Sequence, residues 1–127
     1  MQKKVITSDE APSAIGPYSQ AINASGLIFV SGQIPLDPLT GNVVEGGIER
    51  QTERVMKNIE AILISASSGL DKVVKTTIYL KDLNDFNAAN DIYGAYFKSS
   101  PPARATVEVS NLPKNVSIEI DAIAIAD

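Results

Sequence analysis

From Ile48 to Ala66 the side chains suited to burial return at intervals of three and four: Ile48, Thr52, Val55, Met56, Ile59, Ile62, Leu63 and Ala66. That spacing draws one stripe along a helix, and a helix apolar on one side has to lay that side on something. The next segment supplies the surface. Between Val73 and Lys81 the period drops to two, with Val74, Thr76, Ile78 and Leu80 on one face and Val73, Lys75, Thr77, Tyr79 and Lys81 on the other. The pair predicts a helix resting on a sheet. Gly69 reads as the helix stop, and Glu53, four residues before Lys57, fits the wet side.

The rest of the chain repeats this grammar. Tyr18–Asn23 and Leu27–Ser31 flank Ala24-Ser25-Gly26, a hairpin turn in which glycine supplies positive φ. Prolines and glycine between Gln33 and Asn42 predict a surface loop. A second helix is expected over Phe86–Lys98, capped by Asn84 or Asp85, with Phe86, Ala89, Tyr93, Tyr96 and Phe97 inward. Asn90 falls on that inward stripe, so its amide needs a partner. Ser99-Ser100-Pro101-Pro102 ends the helix, and Ala103–Val109 and Val116–Ala126 read as two more strands. The order predicts an α+β domain, residues 1–127 as one unit, with both helices on one sheet face. Nothing is left to cover the other face, where Val73, Tyr79, Ile123 and Ile125 stand among charges. A half-apolar open face predicts a homo-oligomer.

Composition narrows the chemistry. Among 127 residues there is no Cys and no His, which removes thiol nucleophiles, thiolate metal sites and the usual histidine base. Acid–base work falls to carboxylates, Lys, Tyr or water. Eleven Lys+Arg against 15 Asp+Glu leave a net charge of -4, and the basic residues are scattered, which argues against nucleic acid as partner. Thr7, Ser8, Asp9, Glu10 and Pro12 break up any secretory leader, and no apolar run is long enough for a membrane span, so a cytoplasmic location is expected. Phosphate-binding loops and the G-x-S-x-G elbow are absent, and the aspartates at 82, 85 and 91 read as helix caps, not a metal cage. No metal and no organic cofactor is expected.

Strand parity then gathers a set of polar side chains. If Ala105, Val107 and Val109 meet the helices together with Ile118, Ile120, Ala122 and Ala124, then Arg104, Thr106 and Glu108 share the opposite face with Ser117, Glu119 and Asp121. Solvated strand charges that blunt a sheet edge are the plain account of such a set. The alternative is a small-anion site, because an arginine fork suits a planar carboxylate and a partly desolvated glutamate can activate water. Asn90 adds an amide, and Tyr18 a ring fixed by the Gly16-Pro17 turn.

The stretches Ala14-Ile15-Gly16-Pro17-Tyr18-Ser19-Gln20-Ala21, Ser31-Gly32-Gln33-Ile34-Pro35, Val73-Val74-Lys75-Thr76-Thr77, Pro102-Ala103-Arg104, Val107-Glu108-Val109, Leu112-Pro113-Lys114 and Ile118–Ala124, in this order and spacing, resemble the reactive-intermediate deaminase (Rid, YjgF-type) family, RidA-like branch. The resemblance covers essentially the whole chain. It implies a chorismate-mutase-like fold, a six-stranded mixed sheet with two helices on one face, assembled as a homotrimer with active sites between subunits. It implies cofactor-independent hydrolysis of 2-imino acids such as 2-iminobutanoate and 2-iminopropanoate to 2-keto acids and ammonia. On it, Arg104 binds the carboxylate, Glu119 positions water, Tyr18 arrives from a neighbouring subunit, and Ser31, Gly32, Gln33, Phe86, Asn90 and Thr106 line the ligand. Thr106 departs from the cysteine many members carry, so thiol chemistry cannot apply here, while a backbone N–H contact would survive. The resemblance also inserts the last strand between the first three and the Val73 strand, setting Arg104 and Glu119 two strand spacings apart, about 10 Å. The competing reading is a non-enzymatic oligomer that binds small carboxylates, distinguished by affinity for 2-keto acids without rate enhancement.

Overall fold

Ser25 and Gly26 take φ of 54° and 80°, the paired left-handed values of a two-residue hairpin turn whose twist matches that of the strands it joins. In the computed structural model, which describes residues 2–127, this turn connects β2 (Ala21–Ala24) to β3 (Leu27–Gln33). A short β1 (Lys4–Ile6) pairs on the outer side of β2. Then follow α1 (Ile48–Ser65), β4 (Val73–Leu80), α2 (Phe86–Gly94), β5 (Ala103–Glu108) and β6 (Ile118–Ile125). The sheet order is β1-β2-β3-β6-β4-β5, so the last strand is inserted as the resemblance implies. Among the described residues only β4 and β5 run parallel, and α2 is their crossover.

The stripe of α1 is buried as its spacing predicts. Val55, Met56, Ile59, Ile62 and Leu63 meet Ile28, Val30, Ile78, Leu80, Ile118 and Ile120, all essentially inaccessible. Each such aliphatic side chain contributes roughly 1.5–3 kcal/mol through burial. The Glu53–Lys57 pair forms on the solvent side at 3.7 Å. The helix ends earlier than Gly69: Ser67, at φ 58°, takes the left-handed position after Ala66. The second helix is also shorter than expected, stopping at Gly94, with Tyr96 and Phe97 held by single-turn bonds to Tyr93 and Gly94. Asp85 stands at its N-cap without a side-chain bond, while Asp82 accepts from Asn84 N in the 3-10 turn before it. The hairpin strand starts at Ala21, which leaves Tyr18 in the preceding loop.

Two bulges correct the simple alternation. On β4, Val73 pairs with Ala124 while Lys75 pairs with Ile123, so Val74 is the extra residue. Val73 therefore belongs to the core and Val74 is exposed, the reverse of unbroken parity. On β3, the register slips between Val30 and Gln33 opposite Asp121, which brings the Ser31-Gly32 backbone forward at that point. The face away from the helices is uncovered in the protomer and carries exposed Val5, Phe29, Val107 and Ile125.

Asn58 is a polar residue inside α1's buried side, with no exposed surface. Its amide nitrogen donates to Leu36 O at 3.0 Å and Ile34 O at 3.4 Å, and its carbonyl accepts from Arg54 Nε at 3.1 Å. The helix thus pins the loop after β3. Asn58→Leu keeps the volume but leaves Leu36 O without its donor and Arg54 Nε without its acceptor, while Ile34 O keeps the backbone bond from Leu36 N, and is expected to cost about 2 kcal/mol or more. Denaturant unfolding should show a lower midpoint with an unchanged slope.

Candidate functional site

The edge strand β5 inverts the parity expectation. Arg104 pairs with Thr76, Thr106 with Ile78 and Glu108 with Leu80, and these β4 residues face the helices. Arg104 therefore lies on the helix side. Glu119 pairs with Tyr79 and Asp121 with Thr77, whose side chains face away. Arg104 and Glu119 are two strands apart, as the resemblance implies, but on opposite faces of one protomer's sheet, so the expectation of a shared face is wrong. Parity assumed that the apolar residues of β5 meet the helices; here Ala105 and Val107 point to the open face and Arg104 replaces them over α2.

The residues named from the sequence thus fall into two groups. In the first, Arg104 Nη1 donates to Asn90 Oδ1 at 2.7 Å, giving the Asn90 amide its partner. Phe86 and Tyr93, one turn before and after Asn90 on α2, put their rings beside the guanidinium, 5.6 Å and 5.1 Å from its carbon to the ring centroids. Thr106 closes the inner end of this recess, and its buried Oγ1 has no hydrogen-bond partner among the described residues. Arg104 makes no ion pair among the described residues. Its remaining N–H groups form a cationic fork open to a planar anion.

The second group surrounds Glu119 in a cleft of about 440 Å³ whose wall includes Tyr18, Gly32, Gln33, Ile34 and Lys114. Its floor is fixed from several sides. Gln20 holds the loop ahead of Tyr18 by accepting from Ser8 N at 2.6 Å and donating to Pro12 O at 2.7 Å. Ser31 is not in the cleft wall; its hydroxyl donates to Ser19 O at 2.6 Å and ties that loop to β3. At Gly32 a Cβ would sit 2.9 Å from Glu119 Cδ and overlap the carboxylate oxygen Oε2, so any side chain there would displace the Glu119 carboxylate. At the start of β6, Gln51 of α1 accepts from Ser117 N at 2.8 Å.

Burial, and then the neighbouring Asp121 carboxylate, lift the Glu119 carboxyl above its ordinary range. Asp121 is itself held by a 3.0 Å hydrogen bond donated by Tyr79 Oη. A glutamate whose pKa is raised is a stronger base than an ordinary carboxylate toward a water proton. The shift also makes a stability statement. Below the ordinary value of 4.5 the group is neutral in both states; as pH rises, the unfolded chain ionises first and stability is lost through the higher folded value. Glu119→Gln is therefore expected to melt higher than wild type above about pH 5, with the difference vanishing in acid. Thermal unfolding across pH at fixed protein concentration checks this.

Sequence reasoning gave no site role to Thr76, Tyr93 or Lys114. Tyr93 had a signal, lying three residues after Asn90 on the inward helix stripe; Thr76 and Lys114 stood only within the stretches that carry the family resemblance.

A family model described as Endoribonuclease L-PSP matches residues 8–126. A RutC family protein of Pyrococcus abyssi is 58% identical over 124 residues, covering 98% of both chains. The chain belongs to the Rid family. A human relative of this Rid protein, named 2-iminobutanoate/2-iminopropanoate deaminase, is 49% identical over 123 residues, 97% of this chain and 90% of the human one. The crystal structure of a Yersinia pestis Rid family protein superposes with a TM-score of 0.96 at 53% identity, covering 98% of this chain and 100% of the other. The inserted last strand and the two helices on one face are thus the family's fold.

Proposed function

We propose that this Rid protein hydrolyses small 2-imino acids, such as 2-iminobutanoate and 2-iminopropanoate, to 2-keto acids and ammonia, at sites completed between subunits of a homotrimer. The observation that carries the reading is Arg104: one Nη is held by Asn90, aromatic rings lie beside the guanidinium, and among the described residues no carboxylate occupies its fork. The name of the human relative supports the substrate class.

The opposite facing of Arg104 and Glu119 changes how the site must be assembled. A single small acid cannot touch both within one protomer, because the sheet lies between them. The Arg104 edge of one subunit can meet the Glu119 cleft of the next. Contact between two different patches repeats head to tail and closes into a ring, of which three members, as the resemblance implies, is the smallest. The apolar open face, with Phe29, Val107 and Ile125, would be covered in such a ring.

The chemistry balances without a redox partner. The carboxylate of the imino acid sits on Arg104, which orients C2. Glu119 of the adjacent subunit accepts a proton as water adds to C2 of the protonated imine. Glu119 returns that proton to the carbinolamine nitrogen, the C–N bond breaks with loss of ammonia, and the hydroxyl proton passes to Glu119 and on to solvent as the carbonyl of the 2-keto acid forms. Protonated imines are already electrophilic, so one well-placed base suffices.

The test generates 2-iminobutanoate in situ and follows its decay with and without protein. Acceleration supports the reading. Unchanged decay together with measurable 2-keto acid binding would instead establish a non-enzymatic carboxylate binder.

A further inference from the structure

The geometry that presents Arg104 begins two residue layers behind it. Thr76 sits in β4, flanked by β6 and β5, and the parallel register puts Arg104 directly beside it. Its hydroxyl shares a 2.6 Å hydrogen bond with Tyr93 Oη. Both residues are deeply buried, 1% and 4% exposed. The Tyr93 ring packs on Phe97 at 4.8 Å between centroids and turns toward the guanidinium at 5.1 Å. A closed circuit results: strand register joins Arg104 to Thr76, a hydroxyl pair joins Thr76 to Tyr93, and a ring joins Tyr93 back to Arg104.

This circuit restrains the arginine where Asn90 does not. Asn90 grips one nitrogen, which leaves the guanidinium free to swing about that bond. Phe86 and Tyr93, at positions i and i+7 with Asn90 between them, place their rings beside the guanidinium and oppose that swing. An arginine held in this way has surrendered its rotamer freedom before the anion arrives, and affinity gains by that amount.

We propose that Thr76 and Tyr93 are positioning residues that preset Arg104 for capture of the substrate carboxylate, an inference that rests on the imine-hydrolysis reading. Neither touches substrate. Their contribution is to binding in the ground and transition states alike, so it falls on KM and on product affinity while kcat holds.

The experiment compares Tyr93→Leu, Tyr93→Phe, Thr76→Val and Thr76→Ser in the full chain. It measures kcat and KM for 2-iminobutanoate, calorimetric Kd for 2-ketobutanoate, and the unfolding midpoint. Tyr93→Leu is expected to raise KM and Kd about tenfold with kcat within about twofold. Tyr93→Phe and Thr76→Val, which keep the volume and lose the hydroxyl pair, should each give a rise of about threefold, and Thr76→Ser should restore wild-type values. A lowered unfolding midpoint with unchanged KM and Kd in all four variants would make the pair a core contact only and overturn the inference. Calorimetry separates the two claims: wild type that binds 2-ketobutanoate without hydrolysing the imine defeats the reading and leaves positioning to be judged on Kd, whereas wild type that does neither defeats both.

Discussion

Arg104→Ala is expected to lose about a thousandfold in kcat/KM for 2-iminobutanoate, which is two charge-assisted hydrogen bonds and the orientation they impose. The side chain is exposed and supports little of the core, so the unfolding midpoint should barely move. Arg104→Lys separates charge from shape. An ammonium keeps the attraction but cannot bond both carboxylate oxygens in parallel, nor stack on the Phe86 and Tyr93 rings as a planar group can, so it should recover only a small part of the loss. Steady-state decay of the imine, with folding checked by thermal unfolding, measures both variants. Arg104→Ala retaining wild-type kcat/KM would remove the carboxylate clamp and with it the proposed reaction. The same variant should release 2-ketobutanoate, since product and substrate share the carboxylate. RNA cleavage, the activity in the family model's description, makes a useful control: cleavage that survives substitution of both Arg104 and Glu119 does not use this site.

What the sequence made legible was periodic. Ile48 to Leu63 and Ile118 to Ala124 each hold one apolar phase over many residues, and both lie where that phase puts them. The Ser25-Gly26 turn was legible because few residues accept positive φ. Parity failed at Val73 and at β5 for two different reasons. At Val73 a bulge inserts one residue, and nothing in Val73-Val74-Lys75 marks which valine is extra. At β5 the rule itself does not hold, because on this edge strand Ala105 and Val107 lie on the uncovered face and Arg104 turns toward a helix. Alternation in sequence reports two faces without saying which one meets the helices. Asn90 was the better guide: an amide on an inward stripe had to find a partner, and that partner is Arg104. The division of the site into two groups was not legible at all, since it depends on register across three strands.

That division gives the second large effect. Subunits carrying Arg104→Ala and subunits carrying Glu119→Gln should each be nearly inactive as pure oligomers, yet regain activity when mixed. A working site needs an intact Arg104 edge, which the Glu119→Gln subunit retains, against an intact Glu119 cleft, which the Arg104→Ala subunit retains. With equal, random assembly into a ring the correct ordered pair arises at about a quarter of the junctions, so about a quarter of wild-type activity should return. Co-expression with two affinity tags, followed by isolation of the doubly tagged species, raises the yield to one working junction in each mixed trimer. Sedimentation fixes the stoichiometry against which activity is counted. A site contained within one protomer gives no recovery at any mixing ratio, because every subunit lacks one of its two groups. No gain over the summed parents would mean that Arg104 and Glu119 do not serve one substrate, and the opposite facing of the two side chains would then mark two unrelated surfaces.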